Sequence, residues 1–184
     1  MNIFYLDDNI DTCAKFHVDS HVKKIPLEMG QMLTANMWID HIFAQPMGKL
    51  SPDDNKYFKQ EIDKFKKAND KRYHYWPAYM NHPCTIWLRE SAENYYWGVC
   101  YANQLDWERY VRFLSRMHAS VKIINSLPEP RHFVTKGWTT PALAVGDSPR
   151  YEDDPVRTYR EYYINYKSHL HAWTLRNPPK WITS

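Results

Sequence analysis

The sequence predicts an all-α fold, a compact single-domain helical bundle with long irregular loops. Three observations point there. Apolar residues recur at steps of three and four along most of the chain, which is the helical period. Runs that alternate in the manner of a strand are few. Only 5 glycines interrupt the 184 residues, a length that suits one domain, residues 1–184, around one core.

Ile3 to Leu6 reads as a short extended opening, after which Asp11 caps a short helix toward Phe16. The next helix carries Val22, Ile25, Met29, Met32, Leu33 and Asn36 on one stripe. Pro26 lies inside that pattern and costs ~3 kcal/mol in a helix interior, so the helix is expected to start near Ile25 or to kink there. Residues 44–52 form a loop. Ser51-Pro52-Asp53-Asp54 then starts a helix with a serine cap, proline in the first turn and acids against the dipole. It runs to about Asn69, with Phe58, Ile62 and Phe65 inward.

Asn81-His82-Pro83 opens a helix to about Glu90, and Ser91 caps the longer one behind it. That helix is expected to bury Trp97, Cys100, Trp107, Val111 and Leu114 and to show Arg109, Arg112 and Arg116 on its other side. Residues 127–155 are Pro-rich and without period, a long loop of the kind that is either functional or disordered. Asp153 or Asp154 caps a last helix with Val156, Tyr159, Tyr163, Tyr166, Leu170 and Trp173 on a stripe.

Composition narrows the function classes. Apolar residues make up 43% and charged residues 24%, which is globular. Aromatics reach 16%; they fill the core or offer stacking platforms to bases or sugars. A net charge of +3 permits nucleic acid without demanding it. The 3 cysteines, with no CxxC pair, argue against a disulfide framework and against a Cys-rich zinc site. The opening residues lack the pattern of a signal peptide, and no apolar run approaches the ~20 residues of a membrane span. The expectation is a cytoplasmic protein with no membrane partner. The phosphate-loop, dinucleotide, nucleophile-elbow and HExxH signatures are absent.

The densest polar cluster is His17 to Glu28. On one helix His17 and His21 would share a face and could hold a metal with a distant third ligand such as His82 or Glu90. Alternatively, they hydrogen-bond in the core or touch phosphate. No metal or cofactor is assigned. Lys24 and Glu28, four apart, suit either a nucleophilic amine with its acid/base partner or an ordinary surface ion pair. Asn81 and His82 sit where free backbone N–H groups favour an anion. Arg89 follows as a phosphate clamp or as a partner of Glu93.

His17-x-x-x-His21-x-Lys23-x-Ile25-Pro26 resembles the first long helix of the pyrimidine-dimer DNA glycosylases of the endonuclease V type. Asn81-His82-Pro83 followed by Trp87 resembles a second block of that group, and Pro179-Lys180-Trp181 a third. A family of phage proteins of unassigned activity carries similar blocks, which would place the chain in the host cytoplasm. The resemblance implies an all-α protein that flips a base out of duplex DNA. It implies an amine nucleophile aided by a glutamate, with His17 on DNA and Lys23 on phosphate. Two positions depart. Asn2 stands where the family has a small residue, exposed by loss of the preceding Met. Lys24 stands where the family has its catalytic glutamate, and Glu28 is the nearest acid on that face.

Three functions follow. The first is a DNA glycosylase, with or without abasic lyase activity, on damaged or modified pyrimidines. In it Lys24 and Glu28 act at the sugar, His17, His21, Lys23, Asn81, His82 and Arg89 hold DNA, and Trp87 or Trp138 stacks on the base. The second is a phage DNA base-modifying transferase acting on a flipped hypermodified pyrimidine. The third is a non-enzymatic nucleic-acid-binding or interaction protein whose rings are all core. Oligomeric state is not legible.

Overall fold

The computed structural model describes residues 2–134 and 137–183. Among them there are helices and no strand, as the periodicity predicts. The centre is α2 (Asp19–Phe43), whose face from Val22 through Met29, Leu33 and Trp38 is buried. Against it pack α4 (Pro83–Glu90), α5 (Ala92–Phe113) and the short α6 (Ala119–Ile124). The first helix, α1 (Ile10–Phe16), lies on α5, and α3 (Pro52–Lys67) touches α2 from outside. Residues 125–154 are irregular where described and lead into α7 (Pro155–Tyr166), a 3₁₀ turn (Ser168–Leu170) and α8 (Lys180–Thr183).

Helix starts follow local chemistry. Ser51 and Asp54 close a reciprocal capping box on α3. Ser91 caps α5, and Asp154 caps α7 ahead of Pro155. Asn9, rather than Asp11, caps α1 by accepting from the Thr12 amide at 2.9 Å.

Three expectations are corrected. Helix α2 does not start near Ile25: it begins at Asp19 and continues through Pro26. Burial of Val22, Ile25, Pro26 and Met29 outweighs the missing proline N–H. Helix α5 is rotated from the expected face. Trp107 and Leu114 are exposed at 58% and 80%, and Cys100 is exposed, while Tyr95, Gly98, Tyr101, Leu105 and Arg112 point inward. Arg112 can turn inward because Glu108 and Asp19 neutralise it at 2.8 and 2.9 Å. Finally, the stripe on α7 holds at Tyr159 and Tyr163, but Tyr166 turns outward at the last turn of the helix, leaving Leu170 in the 3₁₀ turn and Trp173 beyond it.

Candidate functional site

In the first turns of α2, Lys24 Nζ lies 2.8 Å from Glu28 Oε1 across one helical turn. The lysine side chain is 64% exposed and the glutamate 10%. The other carboxylate oxygen of Glu28 accepts from the Asn2 backbone N at 3.2 Å. The pair edges a pocket of about 180 Å³, whose walls include Asn2, Phe4, His21, Ala144, Tyr162 and Lys167. Four chain segments therefore meet here: the N-terminal stretch, α2, the long loop and the end of α7.

The opening segment, irregular and with Phe4 at a φ of 50° where the sequence predicts an extended run, is held in place by Asn2. Its Nδ2 donates to the Ala144 carbonyl at 2.6 Å, and its Oδ1 accepts from the Ile3 amide at 2.8 Å and from the Tyr159 hydroxyl at 3.0 Å. Cys84 Sγ reaches the same oxygen at 3.6 Å. Phe4, next in line, stacks on the His21 ring at 4.4 Å and 13°.

His21 lines the pocket with a neutral ring. Burial, then the neighbouring His17 and the lysines 167 and 24, push its pKa down to about 3. Its Nδ1 meets the Tyr163 hydroxyl at 2.5 Å. The pocket thus offers two lysine amines, one carboxylate, a neutral imidazole and an aromatic wall. That set can hold an anion, form an imine with a carbonyl carbon, or shuttle a proton.

The remaining expected site residues lie elsewhere. His17 is fully buried and follows the end of α1, so it shares no helix with His21. Its Nδ1 contacts the Cys13 carbonyl and its Nε2 the Tyr101 hydroxyl, both at 2.7 Å, and burial lowers its pKa to about 4. A ring so placed does not reach phosphate, and both nitrogens are engaged away from any metal. Among the described residues no group of three or more His, Cys, Asp or Glu could hold a metal ion. Lys23 is exposed on the other side of α2, over the Phe113 ring at 4.0 Å.

Nor do residues 81–89 line the pocket. Asn81 ties down the preceding loop through the Leu50 N–H and carbonyl. His82 caps α4 by accepting from the Cys84 amide at 3.2 Å. Arg89 is 2% exposed and donates to the carbonyls of Met47, Gly48 and Met80 and to Asn36 Oδ1, so it is a loop anchor and not a phosphate clamp. Trp87, also 2% exposed, packs with Trp97 and Trp138. Trp138 is partly exposed, but its ring is held among Tyr5, Trp87 and Trp97, away from the pocket.

Sequence reasoning missed Asn2 as a wall residue and missed Tyr162 and Lys167 altogether. The signal available was a second row on α7, with Tyr162 and Tyr166 four apart beside the core stripe. A larger hollow of about 370 Å³ lies at the other end of α2, near Asp40, Arg72 and His132. Its buried carboxylate, Asp40, is engaged by the amides of Arg131 and His132 at 3.0 and 2.8 Å.

Comparison with known proteins adds no relative: no family model, no curated protein and no solved structure matches this chain.

Proposed function

We propose that the chain acts on DNA as a base-excision enzyme, an amine-dependent glycosylase or abasic lyase on damaged or modified pyrimidines. The observation that carries this reading is the Lys24–Glu28 pair at the mouth of a small polar pocket, with Lys167 on another wall. The resemblance of the 17–26 block to the pyrimidine-dimer glycosylases supports it. The 81–89 block lends nothing, because its side chains hold the fold together.

The chemistry needs no cofactor. Lys24 passes its ammonium proton through water to the carbonyl oxygen and adds as the amine to C1′ of a ring-opened abasic deoxyribose, and loss of that oxygen as water leaves a protonated imine. Glu28 takes a proton from C2′. The electron pair forms the C1′–C2′ enamine, then the C2′–C3′ double bond as the C3′–O bond breaks, and the 3′ phosphate departs. Water hydrolyses the imine and restores the amine. In the glycosylase version the Lys24 amine displaces the base at C1′; the base leaves with the electron pair of the C1′–N bond and takes up a proton, and opening of the sugar ring gives the same imine. Lys167 would balance the charge of a flanking phosphate.

Borohydride trapping on duplex DNA with an abasic site tests this. Reduction of the imine would leave a covalent adduct on the peptide holding Lys24, and Lys24→Ala would lose it. An adduct that persists in Lys24→Ala would move the amine elsewhere. If no adduct forms and no DNA is bound at low salt, the DNA reading is wrong. Binding through about 5 phosphates would weaken with a log–log salt slope of about −4 to −5.

A further inference from the structure

The pocket opens onto a ladder of near-parallel rings that the proposed chemistry does not use. His21 stacks on Phe4 at 4.4 Å and 13°. Phe4 faces Tyr162 at 6.1 Å and 16°, and Tyr162 faces Tyr166 at 5.4 Å and 26°. The inner rungs are part of the pocket wall. The outer rung, Tyr166, is 48% exposed at the last turn of α7, and among the described residues no other ring contacts it. Lys167 Nζ lies 5.1 Å from the Tyr162 ring centre and also lines the pocket.

The spacings decide where a further ring can go. The closest stack in the ladder has its centroids 4.4 Å apart, and a ring inserted between two others needs about twice a stacking distance between them. Neither gap in the outer ladder reaches that. A new ring therefore extends the stack only at its open end, on Tyr166. An anionic group attached to that ring would then lie within reach of Lys167, one residue on.

We infer that Tyr166 is a stacking platform for a nucleobase next to the reacting nucleotide, with Lys167 taking that nucleotide's phosphate. This rests on the reading of Lys24 and Glu28 as a DNA site, and it assigns the stacking role to α7 in place of Trp87 and Trp138. A polyanion without bases would find the lysines but gain nothing from the ladder.

The test uses the full chain and a duplex with a tetrahydrofuran abasic analogue beside a 5-iododeoxyuridine. Ultraviolet irradiation should crosslink the iodinated base to Tyr166, located by peptide mapping. Tyr166→Ala should lose that crosslink and weaken binding about 5- to 150-fold, the usual loss for one stacked base. Tyr166→Phe should keep both, and Ile164→Ala, an exposed neighbour, should change neither. Lys167→Ala should reduce the salt slope by about 1. Tyr166→Ala binding like the wild type, with crosslinks on other residues, overturns the inference while leaving Lys24 trapping intact. A wild-type chain that binds no duplex at low salt overturns this inference and the DNA reading together.

Discussion

Arg112 Nη1 donates to Asp19 Oδ1 at 2.9 Å, so the end of α5 holds the start of α2 in place. The same guanidinium bonds the carbonyls of Lys15 and His17 and pairs with Glu108 at 2.8 Å. Glu108 in turn takes Arg176 at 2.7 Å, which draws the C-terminal segment onto α5.

Arg112→Leu should therefore destabilise the fold by about 3–5 kcal/mol, because Glu108 and Asp19 lose a buried partner. Arg112→Lys should recover only part of that, since one ammonium cannot span four acceptors. Urea unfolding midpoints measure both; a loss under about 1 kcal/mol for Arg112→Leu would refute the clamp.

Acid should unfold the protein in two stages. Burial holds His17 neutral with a pKa of about 4, while an unfolded histidine titrates near ~6.5. The unfolded chain therefore takes up the proton first. The histidine contribution is complete above pH ~6.5 and is lost as pH falls toward about 4. Burial pushes Asp19 and Glu108 up, but hydrogen bonds from Thr174 and Arg112 to the first, and from Arg176 and Arg112 to the second, hold both below the usual carboxylate range. Their contribution is present above about pH 4 and lost below it. Unfolding free energy measured from pH 7 to pH 3 should show both declines, and His17→Gln should reduce the first without abolishing it, because buried His21, with a pKa of about 3, adds to it.

Glu28→Gln should separate the two steps at the pocket. Imine formation at Lys24 should survive and still be trapped, while strand cleavage slows by about 10²- to 10⁴-fold, the usual worth of a positioned general base. Equal loss of trapping and cleavage would show that Glu28 only holds Asn2 and Lys24 in place.

Arg89→Met should cost about 2–4 kcal/mol in stability, because three backbone carbonyls and Asn36 lose a charged donor. DNA affinity of the folded variant should be unchanged. A selective fall in affinity with no change in melting temperature would reinstate the phosphate role read from the sequence.

Gly98→Ala tests the crossing of α5 with α2 and α4. An added Cβ would lie 2.5 Å from Leu88 Cδ2 and 3.1 Å from Met29 Cε, both on fully buried side chains. The cost should be about 1–3 kcal/mol by thermal melting. A neutral substitution would show that the leucine tip can move aside.

Much of the fold was legible because helix starts depend on local chemistry. Ser51-Pro52, Ser91 and Asp154-Pro155 mark their caps without help from the rest of the chain. The inner face of α5 was not legible. A pattern that sends charge outward and rings inward fails when Arg112 and Glu108 neutralise one another inside, leaving Trp107 in solvent. His17 and Arg89 failed for a related reason: their partners are backbone carbonyls and a tyrosine hydroxyl, whose positions only the folded chain fixes. Lys24 and Glu28 were readable as a pair because one helical turn joins them. Their companions Asn2, Ala144, Tyr162 and Lys167 come from remote stretches, and no local spacing announces such a meeting.

The side chain of Asn2 binds Ala144 and Tyr159, which lie 142 and 157 residues further along the chain. During synthesis the segment around Asn2 must stay hydrated and undocked until α7 has emerged. A nascent chain halted before Tyr159 would therefore carry Lys24 and Glu28 on a helix with no chamber around them.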